Sequence, residues 1–328
     1  HAGRWYVWNR VAQGSLNGPN AFGRLSALTG RMTQAMMSST QARLQIYTDD
    51  PCTVLKGSLA EIKEQIAVMT LFWLALGWGL SFHKGRWGRQ VDWIGYNFRI
   101  LSDRIEVTIK ESFMKDFGKD LGRLLRQRRV QSGELQSFTG RVNHIANLLY
   151  AWRPFISELW AAIYDRKRAG SSRVYIKQII GTLRWLDAFM SMQRGSLKRS
   201  WTYSAWLHPE TAMTMILDAS PFGLGGVLVQ GDKILSWFSS ALTHHDEKQF
   251  GHRVGSDSGQ QVWEALCILV ALKAWSSHWL SQQVSLTIKS DNISALVMAA
   301  KLKVTSSQLI ARELAMILSE ASFMPRHV

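Results

Sequence analysis

The stretch MTMILDASPFGLGGVLVQGDKILSWF, residues 213–238, holds three short apolar or alternating runs, Met213 to Leu217, Gly225 to Val229 and Ile234 to Phe238. The segments Pro221-Phe-Gly and Gly231-Asp-Lys between them are turn formers, so three strands in a meander are predicted. Downstream, an apolar helical pattern runs from about Ser258 to Leu280. A strand from Val284 to Ser290 follows, then helices from Ile293 and from about Ser306, and a last strand in Phe323 to Val328. Strands followed by helices in this order read as an α/β (α+β) layer.

Upstream of this layer the character of the chain changes. Apolar residues at spacings of three and four, among them Phe117, Leu121, Leu124, Leu135, Phe138, Val142 and Ile145, predict a helical region from Arg104 to Trp160. Residues 1–200 carry 30 Lys and Arg against 14 Asp and Glu, whereas residues 201–328 carry 9 against 10. A domain boundary near 200–210 therefore separates a basic body from a neutral one. A basic body of that size attracts a polyanion through counterion release, which makes nucleic acid the leading partner. The 328 residues exceed what one core usually serves, and 46% hydrophobic content excludes a disordered chain.

The two cysteines, Cys52 and Cys267, are too few and too far apart for a disulfide framework or a cysteine zinc site. An intracellular location, cytoplasmic or nuclear, is expected, and no signal peptide is visible. The 17 uncharged residues from Ile66 to Phe82 fall short of the ~20 needed for a span, so a buried helix is expected and no membrane is implied. His244, His245 and His252 lie in a polar segment without a cysteine nearby and read as surface residues. Both ends read as cut, with no initiator Met at His1 and a strand that stops uncapped at Val328. Nothing in the sequence sets an oligomeric state.

Chemistry is expected at two acidic constellations. In Ile46-Tyr-Thr-Asp-Asp-Pro51 an apolar run leads into Asp49 and Asp50, which by themselves are also ordinary turn residues. In the C-terminal layer Asp218 closes a strand, Glu264 is the only charged residue between Val262 and Leu272, and Asp291 stands between a strand and a helix. Each has a plain structural explanation: a turn former, a surface residue on a narrow polar face with Gln260 and Gln261, and a helix N-cap. Lys115, Lys119, Arg123 and Arg126 fall on one helical face, suited to tracking phosphates or to simple solvation.

These motifs, taken in order, resemble reverse transcriptases. Gln13-Gly-Ser-Leu-Asn-Gly-Pro19, the Tyr47-Thr-Asp-Asp50 hairpin, Gly79-Leu-Ser-Phe-His-Lys84 and Trp93-Ile-Gly95 match elements of that family in order and spacing. The resemblance implies that Gln13 and Gly14 shape the nucleotide and template pocket, that Asp49 and Asp50 hold metal, that Lys84 lies near the incoming deoxynucleoside triphosphate, and that Trp93 and Gly95 grip the primer. A third carboxylate comes, in the family, from a strand ahead of the Gln-Gly loop. Residues 1–48 contain neither Asp nor Glu, so this chain by itself is expected not to polymerise DNA.

The later segments Asp218-Ala-Ser, Gly223-Leu-Gly-Gly-Val, Ser236-Trp-Phe-Ser-Ser and Glu264-Ala-Leu resemble the RNase H of gypsy-type and DIRS-type retrotransposons. Ser132-Gly-Glu-Leu-Gln-Ser-Phe-Thr-Gly-Arg-Val-Asn-His144 with Arg153-Pro-Phe155 resembles their thumb-to-connection segment. The implied organisation is a partial palm over 1–103, a basic helical thumb and connection over 104–205, and an RNase H-like mixed-sheet domain over 206–328. The implied chemistry is two-metal catalysis with Mg2+ or Mn2+, acting on a primer-template at one site and an RNA/DNA hybrid at the other. Asp218, Glu264 and Asp291 would be the nuclease ligands, and a fourth family carboxylate would lie past Val328. The alternative is a non-catalytic nucleic-acid-binding remnant or co-opted binding module.

Overall fold

The computed structural model describes residues 15–168, 170–207, 212–281, 283–303, 306–320 and 324–327. They form a mixed α/β structure in two compact units, residues 1–95 and 96–328.

In the first unit, helix α1 (Gly18–Met36) precedes a hairpin of β1 (Ala42–Tyr47) and β2 (Asp50–Leu55). Helix α2 (Leu59–Ala75) and strand β3 (Gln90–Trp93) follow. Ser58 starts α2 with a capping box, its side chain accepting from the Glu61 amide while the Glu61 carboxylate accepts from the Ser58 amide. A small core of Met37, Ala42, Leu44 and Trp73 holds the helices to the hairpin, and Trp73 Nε1 donates to Thr33 Oγ1 at 2.7 Å. The expected burial of the Ile66–Phe82 run is only partial. Among the described residues of α2 Trp73 alone is buried, and Leu71 remains 66% exposed. Within its own unit the helix has one hairpin and one helix to pack on, enough to cover a single stripe. No helix among the described residues is long and apolar enough to cross a membrane.

The second unit begins with β4 (Tyr96–Ile100) and β5 (Arg104–Ile109). It continues through α3 (Glu111–Arg126), β6 (Arg129–Gln131), α4 (Ser132–Leu148), α5 (Arg153–Arg168), β7 (Arg173–Tyr175), α6 (Ile176–Met190), β8 (Lys198–Thr202) and α7 (Tyr203–Leu207). The helical expectation for Arg104 onward fails at β5, which pairs antiparallel with β4 on one side and β8 on the other. Its second partner lies more than ninety residues later, a pairing that no local periodicity announces. Glu106 of β5 is buried and accepts from Lys198 at 3.1 Å and Arg104 at 3.0 Å. The helices pack around Phe117, Phe138, Trp152 and Phe189, with Phe117 stacked on Phe138 at 5.0 Å.

The meander appears as predicted: β9 (Met213–Ser220), β10 (Gly223–Gln230) and β11 (Lys233–Ala241). Then come α8 (His244–Phe250), α9 (Gln260–Ala274), β12 (Ser285–Lys289), α10 (Ile293–Lys301), α11 (Gln308–Glu320) and β13 (Met324–His327). The strands form one sheet in the order β11-β10-β9-β12-β13, antiparallel through β9 and parallel from β9 to β13. α9 is shorter than the apolar pattern, because a 3-10 turn at Asp257–Gly259 precedes it and another at Ser276–His278 follows it. Glu158 of α5 accepts from Gln308 at 2.8 Å and pairs with Arg312, so α11 packs on the helical region as well as on the sheet layer.

Candidate functional site

Strand β9 alternates: Met215, Leu217 and Ala219 are buried, while Ile216, Asp218 and Ser220 are exposed. Asp218 is therefore a mid-strand residue opposite Gly225 of β10 and not a turn former. α9 packs against β9, and ten of its residues from Val262 to Leu272 are buried, Glu264 among them at 3% exposure. The surface reading of Glu264 is thus overturned. Asp291 lies just past β12, one residue beyond Ser290. The N-cap of α10 is its neighbour Asn292, whose side chain accepts from the Ala295 amide at 3.0 Å, so Asp291 is not spent on capping.

The fold brings these three acids together. Asp218, Glu264 and Asp291 each offer a carboxylate oxygen, and those oxygens lie within 4.8 Å of one another. Glu264 is held from both sides: Gln260 Nε2 donates to one oxygen at 2.9 Å and Ser290 Oγ to the other at 3.3 Å. Gln260 also donates to the Ala219 carbonyl at 2.5 Å, which ties the helix to the strand beside Asp218. Burial pushes the Glu264 carboxyl above its ordinary range, and the charges of Asp291 and Asp218 push it the same way. No Lys or Arg among the described residues is ion-paired with any of the three. Beneath them, Cys267 donates to the carbonyls of Asp218 and Gly225, each at 3.4 Å, and burial pushes its thiol up to about 12. The donor set is thus all oxygen, three carboxyl groups without an ion-paired Lys or Arg among the described residues, which suits a hard divalent ion such as Mg2+ or Mn2+.

Ser290 was not singled out by the sequence. Its only signal is its place, directly before Asp291 at the end of a strand. Gln260 was visible four residues before Glu264 but read as part of a surface stripe.

In the first unit, Asp49 and Asp50 lie exposed at the tip of the β1–β2 hairpin, where Tyr47 pairs with Asp50 across a two-residue turn. Thr48 takes a left-handed φ of 56°, unusual for a residue with a branched Cβ, and Ser26 Oγ donates to its carbonyl. Trp93 Nε1 donates to the Asp50 carbonyl at 3.0 Å, so the Trp93 segment reaches the acidic hairpin. Gly95 follows Ile94 in a turn where both φ values are positive, 89° and 44°. Lys84 ends an exposed 3-10 turn, Phe82–Lys84. Gln13 and Gly14 lie outside the described residues. Asp49 and Asp50 join no third metal-binding side chain among the described residues.

On α3, Lys115, Lys119, Arg123 and Arg126 are all exposed. Lys119 pairs with Asp116 at 3.1 Å, and Arg123 with Asp120 at 3.1 Å and Glu134 at 2.5 Å. Lys115 and Arg126 have no carboxylate partner among the described residues.

No family model and no curated protein matches the sequence. Among solved structures, the chain is similar to a foamy viral protease-reverse transcriptase in complex with double-stranded DNA. The TM-score is 0.43 at 15% identity over 98% of this chain and 51% of that one. It is similar also to a foamy viral protease-reverse transcriptase in complex with an RNA/DNA hybrid, with TM-score 0.42 at 14% identity over 98% of this chain and 39% of that one. The chain spans about half the length of the structures it matches.

Proposed function

We propose that this chain is part of a retrotransposon reverse transcriptase, with a metal-dependent RNase H centre at Asp218, Glu264 and Asp291 that cleaves the RNA strand of an RNA/DNA hybrid. The observation that carries this reading is the meeting of three carboxylates, 73 residues apart from first to last, within 4.8 Å and without an ion-paired Lys or Arg among the described residues. The cost of gathering like charges is offset by protonation or by a bound cation, and three carboxyl groups within reach of one ion suit the second. Bound Mg2+ or Mn2+ would supply activation of water and charge for the leaving 3′-oxygen. The chain's own residues supply the seat: Asp218 and Asp291 from the exposed side, Glu264 from the buried side, with Gln260 and Ser290 fixing the Glu264 carboxylate in one orientation. The motifs around Asp218 and Glu264, and their resemblance to gypsy-type and DIRS-type elements, support the same assignment.

In this reading residues 1–103 are part of a polymerase palm and residues 104–205 its thumb and connection. Asp49 and Asp50 are metal-binding carboxylates, Lys84 faces the triphosphate, and Trp93 and Gly95 hold the primer. The bond from Trp93 to the Asp50 carbonyl supports a shared role for those two segments. A non-catalytic binding role for the palm portion is favoured by Asp49 and Asp50 joining no third metal-binding side chain among the described residues.

The test is hydrolysis of a labelled RNA/DNA hybrid by the full chain with Mg2+ or Mn2+. Cleavage is expected, lost on chelation and in Asp218→Asn and Glu264→Gln, and reduced about 10-fold or more in Ser290→Ala, which loosens a ligand rather than removing it. Cleavage that survives in Glu264→Gln refutes the assignment. Absence of cleavage with both metals leaves the binding reading in its place.

A further inference from the structure

The ribbon of β6 and β7 pairs Arg129 with Tyr175, Val130 with Val174 and Gln131 with Arg173. Val130 and Val174 are buried at 2% and 0% exposure, which fixes the inner face and leaves Arg129, Gln131, Arg173 and Tyr175 outward. We propose that this outer face is a second nucleic-acid contact, gripping the phosphodiester backbone separately from the carboxylate centre and from the α3 face.

Charge is the first support. Arg129 and Arg173 have no carboxylate partner among the described residues, and neither do the adjoining exposed Arg126, Arg128 and Lys177. The one acid close by, Glu134, is paired with Arg123 at 2.5 Å. Geometry is the second. The Arg129 guanidinium lies over the Tyr175 ring, 4.5 Å from its centre, a contact that orients the planar group without using up its N–H donors. With the Gln131 amide turned to satisfy both its ends, its nitrogen donates to the Ser172 carbonyl at 3.1 Å and its oxygen accepts from Arg173 Nε at 3.2 Å. Both guanidiniums are therefore held before any ligand arrives. Diagonal positions of an antiparallel pair are about 7–8 Å apart, comparable with neighbouring phosphates of one strand. Between them opens a cavity of about 200 Å3, lined by Gln127, Arg129, Gln131, Glu134 and Arg173, with room for a phosphate group.

A nucleic acid fits better than an anionic lipid surface. Interfacial membrane binding needs outward apolar anchors beside the basic groups; Val130 and Val174 point inward, and the one outward ring, Tyr175, lies under the Arg129 guanidinium.

The experiment measures binding of the full chain to a fluorescent RNA/DNA hybrid across a salt series in EDTA, so that the ribbon is tested whether or not the carboxylate centre hydrolyses anything. Removing two phosphate contacts in Arg129→Gln/Arg173→Gln is expected to flatten the slope of log K against log salt by about 1.8. Arg129→Lys/Arg173→Lys should keep the slope and lose affinity, because the charge stays and the fork is gone. Asp218→Asn should leave the slope unchanged. The control Lys233→Gln/Lys248→Gln removes the same charge from exposed positions elsewhere. The proposal is overturned if this control flattens the slope as much as the arginine pair, or if the arginine pair changes nothing. Arginine-dependent binding to phosphatidylserine vesicles without binding to the hybrid would overturn it too.

Discussion

At the scale of single residues, Glu264 is a carboxyl in the wrong solvent. It is buried, two further carboxylates stand beside it, and the hydrogen bonds from Gln260 and Ser290 offset only part of that strain. A carboxyl whose folded pKa is raised contributes stability that is present below the unfolded value and lost as pH rises through the folded one. Metal-free protein is therefore expected to lose stability from this group between acid and neutral pH. Glu264→Gln should melt higher than the parent chain at neutral pH in EDTA and should lack that part of the pH dependence. Divalent metal reverses the order by mass action: Mg2+ at about 100 times its Kd adds about 2.7 kcal/mol to the parent chain and little to the variant. Thermal melts with and without Mg2+ check both signs; a variant that melts lower in EDTA contradicts the electrostatic account.

Among the elements, the contact of β10 with its neighbours is the most demanding. A Cβ on Gly226 would lie 2.5 Å from Leu217 Cδ2 and 2.9 Å from Phe238 Cε1, with Trp275 at 3.3 Å behind. Gly226 thus lets three strands and the α9–Trp275 corner close up beside the Asp218 segment. Gly226→Ala is expected to cost about 1–3 kcal/mol, measured by denaturant unfolding, and to lower hybrid cleavage further by shifting β9. Much of this layer was legible. The three strands of the meander are bounded by Pro and Gly turns, and in β9 burial alternates with a period of two. β5 was not legible, because its pattern is ambiguous over six residues and its strand identity comes from β8, far away in sequence. α2 was legible as a helix, through Ser58 and Glu61 at its start. Its degree of burial was not, since an apolar run does not say how many neighbours will cover it.

For the molecule as a whole, charge and ligand count set different limits. The excess of Lys and Arg lies in residues 1–200, while the three-carboxylate cluster lies in the neutral remainder. On the proposed reading, binding of a polyanion and cleavage of it therefore rest on different parts of the chain and are separable by mutation. Asp49 and Asp50 join no third metal-binding side chain among the described residues, and two-metal nucleotidyl transfer needs clustered carboxylates to hold both ions. Primer extension by the full chain with Mg2+ or Mn2+ is expected to give no product above background. Incorporation of even a few nucleotides would show that two carboxylates suffice.

The amino-acid order alone determined the mixed α/β class, the basic and neutral halves, the strands of the meander and the identity of the acids worth watching, because periodicity, turn residues and charge are local properties. Where those acids sit relative to one another was decided in three dimensions. Asp218, Glu264 and Asp291 each had an ordinary local explanation, and the fold removed each: Asp218 sits mid-strand opposite β10, Glu264 is buried as α9 packs on the sheet, and Asn292 takes the cap in place of Asp291. Proximity between residues tens of positions apart is a product of packing, and no stretch of sequence contains it.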